Sequence, residues 1–471
     1  MNGRWRQLAP GMLFIAASLL ATAQPVRDEG GELGWRGEAE AVGAGQAAAT
    51  APPAPGMEPP RVEVDRPKPV YPLYARDARI HGLRPFQELV DAAPAGSVLK
   101  PPPGRYAGPV VLTKKLIIDG GGQVTIDAGG KGTVFSLAAS EAVLRGLHLT
   151  GSGDSHDTDD ACLDVRGHGN LIEQLVIDDC LFGIDLKQSN DNVIRGNRIR
   201  SKPFALGVRG DGLRLWYSHG NTIEHNEIVA VRDMVAWYSS RNVFRRNVGR
   251  NSRYSFHFMF AKDSLVEDNR FYDNTVGIYL MYTERVHLYR NLVSHATGAA
   301  GMAIGFKESS DSDIADNDFL YCAVGVGSDL SPFQPGTTIR FRNNRFAYNG
   351  IAVHFTSELG GNVFTDNTFE GNLNHVIQSG RGKAEENLWH GNYWDDYQGF
   401  DRDGDGRGDT PYALYAYADQ LWIDLPLARF FKASPLLELI DFLERLAPFS
   451  TPELQARDPA PRYLRPQRRT G

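Results

Sequence analysis

The sequence predicts an all-β chain, a single-stranded right-handed parallel β-helix of about ten coils with an N-terminal helical cap and a C-terminal helix. Three observations carry this reading. Asn197, Asn226, Asn247, Asn269, Asn291, Asn317, Asn344, Asn367 and Asn392 recur at spacings of 29, 21, 22, 22, 26, 27, 23 and 25 residues. A second asparagine often stands five residues earlier, as in Asn192/Asn197, Asn221/Asn226 and Asn362/Asn367. Between the asparagines lie short apolar and aromatic pieces such as Gly183-Ile-Asp-Leu, Gly212-Leu-Arg-Leu, Gly277-Ile-Tyr-Leu and Gly350-Ile-Ala-Val. These alternate inward and outward, as strands do. The Leu-x-x-Leu-x-Leu frame of a leucine-rich solenoid is missing. Asparagine tolerates left-handed backbone at tight corners, and its amide can bond to the same position one coil away.

Each segment then has a place. Residues 1–23 read as a secretory signal peptide: Arg4 and Arg6, an apolar run from Leu8 to Leu20, and Ala21-Thr22-Ala23 as the cleavage site. The mature chain is thus expected in a periplasm. Residues 24–70 are rich in Ala, Gly, Pro and Glu, bury too little apolar surface to order, and read as a flexible leader. The β-helix is expected over 71–425, with a short helix from Pro85 as its lid, since Phe86, Leu89, Val90 and Ala93 share one helical face. Residues 426–471 are expected to hold a helix lined by Leu436, Leu437, Leu439, Ile440, Leu443 and Leu446, then a disordered tail from Ser450. The formal net charge of −7 and the lack of a basic block argue against nucleic-acid binding. Cys162, Cys180 and Cys322 are too few for a disulfide scaffold and read as buried small hydrophobes.

Alignment on the ladder asparagine exposes the chemistry. Ten residues before it come Lys187, Trp216, Trp237, Met259, Met281 and Lys307; twelve before it come Asp185, Arg214, Val235, His257, Tyr279 and Gly305. The row between them, Leu186, Leu215, Ala236, Phe258, Leu280 and Phe306, is apolar and must face inward. Residues two apart in a strand share a face, so the flanking rows face outward. His257 and Met259 then lie side by side on one coil, with Tyr279 and Met281 over them. Two thioethers and an imidazole about 4.8 Å apart suit a soft ion, Cu(I) above all. The same row, with Trp216, Trp237 and Tyr279, also reads as a contact patch for a partner protein.

A polysaccharide lyase or epimerase is the enzymatic alternative, because an outward groove on such a sheet can hold a sugar chain. The central rungs lack the convergent carboxylates it requires, and the best-looking cluster, Asp154 to Asp160, reads as a solvated turn. The expectation is therefore a protein that is not an enzyme. Near the end, Asp401, Asp403, Asp405 and Asp409 alternate round Gly406 like a calcium loop, with the Arg407 carbonyl as backbone ligand. Tyr412 stands where a bidentate Glu is usual, which predicts modest Ca²⁺ affinity.

The region from Leu83 to beyond Tyr412 resembles the NosD family of periplasmic maturation factors for nitrous-oxide reductase. The likeness lies in Pro102-Pro103-Gly104-Arg-Tyr106, His257-Phe-Met259-Phe260, Tyr279-Leu-Met281-Tyr282, and Gly391-Asn392-Tyr393-Trp394-Asp395-Asp396-Tyr397 leading into the Asp/Gly loop. The resemblance implies a non-enzymatic role beside an ABC transporter, made of an ATPase and a permease. It further implies that Cu(I) is taken from a copper-chaperone lipoprotein and presented to the apo-reductase. On this sequence that role falls on His257, Met259 and Met281. The 24–70 leader has no counterpart in the family pattern.

Overall fold

The computed structural model describes residues 80–357, 360–379, 386–416 and 453–466. The predicted signal peptide, the whole 24–70 leader and the C-terminal helix face at 436–446 lie outside them. The described chain is nearly all strand and forms a parallel β-solenoid of about 13 turns, three more than the asparagine ladder alone implied. The difference arises at the N-terminal end, where strands such as Val110–Leu112, Phe135–Leu137 and Ala161–Val165 build coils before the first ladder asparagine.

Each coil contributes to two sheets. One is a column of 12 strands, and the other joins the remaining two walls into 24 strands. Those walls merge because Ile117–Asp127 and Val143–Thr150 each run through both. Further along, the ladder asparagine separates them. Its side chain is buried at every coil, and its amide joins the coils: Asn247 N and Nδ2 both donate to Asn269 Oδ1, at 2.9 and 3.0 Å. The same pair of bonds links Asn269 to Asn291 and Asn291 to Asn317. Nδ2 also reaches a backbone carbonyl of the preceding coil, as from Asn247 to Ile223 O at 2.9 Å. A shorter ladder runs Asn192, Asn221, Asn242 and on to Ser264.

One expectation changes here. The left-handed corner is carried not by the ladder asparagine but by the residue before it: His225, Arg246, Asp268, Arg290 and Asp316 have φ of 55–60°. The asparagine is needed for its amide, so the turn is made by its exposed or half-buried neighbour.

Inside, equivalent positions stack. Phe341, Phe364 and Trp389 lie with centroids 4.4 and 4.1 Å apart, and Phe346, Phe369 and Trp394 at 5.1 and 4.3 Å. The N-terminal opening is closed by helix α1 (Gln87–Ala92), which buries Phe86 and Val90 and sets Phe86 against Tyr106. It begins two residues later than the expected Pro85, with Phe86 at its N-cap.

The opposite end corrects a second expectation. Residues beyond Ser450 include the strand Glu453–Asp458, antiparallel to Tyr412–Ala416. Asp458 is fully buried and ends the ladder: its Oδ2 accepts from Asn392 N and Nδ2 at 2.8 and 2.9 Å, and its Oδ1 from Gly391 N at 3.0 Å. A polar segment folds there because the last asparagine donors need an acceptor.

The cysteines correct a third. Cys162 and Cys180, 18 residues apart, meet across the interior of one coil with Cα atoms 5.5 Å apart and form a disulfide. Only Cys322 is a free buried thiol among the described residues. Burial pushes its pKa up to about 11, so it remains protonated near neutrality.

Replacing Asn247 with Ala strands the two donors of Asn226 and removes the Nδ2 bonds to Asn269 Oδ1 and Ile223 O, while the backbone N–H still donates to Asn269. This is expected to cost about 3 kcal/mol, seen as a lower urea midpoint. Gln334→Ala, on an exposed loop, is expected to stay within about 0.5 kcal/mol of the parent.

Candidate functional site

The predicted register holds through the 12-strand sheet. Trp216 pairs with Trp237, Trp237 with Met259, Met259 with Met281, and Met281 with Lys307. Beside them Val235 pairs with His257, His257 with Tyr279, and Tyr279 with Gly305. The intervening Ala236, Phe258, Leu280 and Phe306 belong to the interior core, whereas Met259 and Met281 do not. The sulfur and imidazole groups therefore come together on one outer wall.

Their surroundings differ from the expected exposed row. Met259 and Met281 are only 6% and 5% exposed, and Trp216, Trp237 and Tyr279 are half-buried. Next to the row runs a ribbon of stacked rings: Tyr217, Tyr238, Phe260 and Tyr282, with successive centroids 4.8, 4.9 and 4.7 Å apart. Each occupies a left-handed corner immediately after the Trp or Met of its coil. Trp216 and Trp237 meet edge to face at 4.6 Å. The row is thus a walled, largely dehydrated seam.

His257 is the polar group within it. Tyr254 stacks on the imidazole at 4.7 Å, and Tyr279 meets it edge-on at 5.8 Å. Its Nε2 is buried without a hydrogen-bond partner among the described residues, as is Trp237 Nε1. Burial first, then the nearby Arg253 guanidinium, depress its pKa to about 4; Asp211 pulls the other way, and Arg232 adds a lesser depression. The imidazole is therefore neutral near pH 7. A neutral ring with an orphaned nitrogen beside two thioethers fits a soft metal ion, which needs a lone pair and no competing proton.

Arg232 is held by Asp211 at 2.9 and 3.2 Å, and Arg253 by the buried Asp233. Arg214 pairs with Asp185 and lies over Phe182. Asp159 reaches both Lys187 and Arg214 at 2.9 Å. The Asp154–Asp160 stretch is a turn with Asp154, His156, Asp157 and Thr158 exposed, as expected, but it ends in the ion-paired Asp159 and in Asp160, which is buried and accepts from Ser155 N.

Met302 was missed by the sequence reading. Its Sδ and the Tyr279 ring both lie within 2.7 Å of the point a Cβ on Gly305 would occupy. Glycine is required there so that ring and sulfur can share the space one rung beyond Tyr279. The empty side-chain position in the His257/Tyr279 row was the available signal.

At the acidic loop, the Asp401, Asp403 and Asp405 carboxylates converge, with ligand atoms within 4.8 Å of one another. Gly404 N and Gly406 N donate to Asp401, and Arg407 N donates to Asp405 Oδ1 at 2.7 Å. Asp409 closes the loop by accepting from Arg402 N at 2.8 Å. The Arg407 side chain turns to Ala460 O, and Tyr463 N donates to Gly406 O. The loop is so held by the C-terminal strand region. Tyr412 turns its hydroxyl to Asp396 Oδ2 at 3.2 Å.

A second convergent group was not anticipated. His375, 6% exposed, has Nε2 at 3.0 Å from Asp395 Oδ1 and 3.3 Å from Asp396 Oδ1. Burial opposes its charge, but the two carboxylates outweigh that and raise its pKa to about 9. His375 comes from the 12-strand sheet and the aspartates from the turn after Trp394, so only the fold unites them.

Three comparisons place the chain. The profile of the family described as "Periplasmic copper-binding protein (NosD)" matches residues 199–399. A Pseudomonas aeruginosa protein named "Probable ABC transporter binding protein NosD" is 27% identical over 375 residues, covering 73% of this chain and 83% of that one. A Stutzerimonas stutzeri protein of the same name is 33% identical over 107 residues, 22% of this chain and 24% of that one. Among solved structures, the catalytic unit of a Streptomyces thermodiastaticus α-1,3-glucanase aligns with TM-score 0.45 and 16% identity, covering 66% of this chain and 65% of that one. The A-module of an Azotobacter vinelandii mannuronan C-5 epimerase aligns with TM-score 0.41 and 15% identity, covering 64% and 92%.

Because the folded-state pKa of His375 lies above the ordinary 6.5, its stabilising charge is complete below pH 6.5 and lost as pH rises through about 9. The protein is expected to lose on the order of 2 kcal/mol over that interval, discounted for the exposed Asp396. Urea midpoints measured against pH check this, and His375→Gln is expected to remove the slope.

Proposed function

We propose that this chain, which belongs to the NosD family, is a periplasmic accessory protein that holds Cu(I) on its outer wall and passes it on during maturation of nitrous-oxide reductase. Beside it work an ABC transporter, as the relatives' names suggest, and a copper-chaperone lipoprotein as donor. The role needs no turnover by this chain: it is a carrier and not an enzyme.

The observation that carries the reading is the orphaned Nε2 of a neutral His257 next to Met259 and Met281 on adjacent rungs. Thioethers and a neutral imidazole hold Cu(I) without thiolate, which suits a cargo that must leave again. The buried, protonated Cys322 takes no part. Trp216, Trp237 and the tyrosines at the margin exclude water and offer the partner a rigid aromatic face.

The Asp401/Asp403/Asp405 loop is assigned to Ca²⁺. Its position against Ala460, Pro461 and Tyr463 makes it a clasp on the C-terminal segment that completes the ladder.

Competition against a Cu(I) chelator tests the cargo site. Met259→Leu/Met281→Leu is expected to weaken Cu(I) binding at least tenfold with an unchanged circular dichroism spectrum; unchanged affinity removes the site. Elemental analysis after dialysis in Ca²⁺-containing buffer is expected to find bound calcium, and Asp401→Asn/Asp403→Asn to abolish it and lower the melting temperature. Absence of calcium in the parent protein removes the clasp.

A further inference from the structure

A cleft of about 720 Å³ opens on a different wall from the thioether row, along the first third of the solenoid. Its floor is built from successive rungs. Arg105 pairs in register with Thr125, Thr125 with His148, and beside them Thr150 with Asp178. The next strand, Arg198–Ser201, brings Arg200 onto the same wall, four rung steps or about 19 Å from Arg105. The loop that follows adds Lys202 and Arg209.

The floor is polar and already ordered. His148 Nε2 lies 3.0 Å from Asp178 Oδ1, Thr150 Oγ1 donates to the same oxygen at 2.7 Å, and Thr125 Oγ1 is 3.3 Å from His148 Nδ1. Apart from Pro203 and Ala230 the lining has no apolar side chain, so an apolar ligand has nothing to bury against.

Each end carries a guanidinium, ion-paired at one end and without a carboxylate partner among the described residues at the other. Arg105 is anchored by the buried Asp127. At the far end Lys202 is 3.4 Å from Asp179, while Arg209 donates Nε to Phe204 O and has no carboxylate partner among the described residues. Arg200 is exposed and makes no ion pair among the described residues. Several arginines elsewhere on these walls are neutralised across rungs, as Arg145 and Arg195 are by Glu173 and Arg250 by Glu227. In a chain of net charge −7, the guanidiniums of Arg200 and Arg209, beside a floor of hydroxyls and imidazole in which the Asp178 carboxylate is already engaged by His148 and Thr150, mark a place for an oxyanion.

We propose that this cleft binds an extended, hydroxylated polyanion of the acidic-oligosaccharide class, its carboxylates held by Arg105 at one end and by Arg200 and Arg209 at the other. A single small anion can engage only one end. A chain of acidic sugars engages both and presents its hydroxyls to Thr125, Thr150 and His148.

Isothermal titration of the full chain with tetragalacturonate, maltotetraose and inorganic sulfate tests this. Tetragalacturonate is expected to bind, with affinity falling as salt rises; maltotetraose is expected to show no binding, and sulfate to bind at least tenfold more weakly. Arg200→Gln/Arg209→Gln is expected to weaken tetragalacturonate binding tenfold or more. Arg105→Gln serves as an independent variant at the other end, with the same expected loss. Absence of tetragalacturonate binding, equal binding of maltotetraose or sulfate, salt-independent binding by the parent chain, or unchanged affinity in both variants overturns the proposal.

Discussion

The buried asparagine amide is the interaction on which the rest of this molecule depends. From Asn226 onward each ladder Oδ1 accepts two N–H donors from the coil before, and each Nδ2 also reaches a backbone carbonyl. A slip of one residue strands all of these groups in the interior, where an unmet donor costs about 1–3 kcal/mol. The ladder thus acts as a register gauge. Loops of different length can be inserted elsewhere, as the 29-residue and 21-residue repeats show, while the strands on the far wall stay aligned. Asp458 completes the gauge from 66 positions beyond Asn392 in the sequence.

Fixed register is what converts scattered residues into a site. Met259 and Met281 are 22 positions apart in sequence yet paired in the sheet. His257 reaches the same face because side chains alternate along a strand. Burial supplies the second ingredient. The aromatic ribbon and the half-buried tryptophans dry the seam, and the arginines held by Asp211 and Asp233 further disfavour a proton on His257. The same desolvation that costs stability keeps the proposed ligand in its binding form, a trade expected where structure serves chemistry.

How far the sequence discloses this depends on whether a feature is periodic. The asparagine spacings disclose the solenoid and place Met259 over Met281, because both follow from repetition. They do not disclose the seam's dryness, which depends on the corner residues Tyr238, Phe260 and Tyr282 stacking beside the row. Nor do they disclose non-periodic unions: Cys162 with Cys180 across one coil, His375 with the Asp395–Asp396 turn, or Asp458 on the ladder. Met302 escaped notice because it reaches the face over Gly305 from outside the aligned rows. The acidic loop was legible as a local motif, but its contact with the segment at 460–463 was not, since no local pattern encodes it.

X-ray absorption at the copper edge of the Cu(I)-loaded wild-type protein examines the proposed cargo site most directly, because it reports the donor atoms themselves. The account predicts a first shell of two sulfurs and one imidazole nitrogen. A shell of nitrogen and oxygen alone contradicts it.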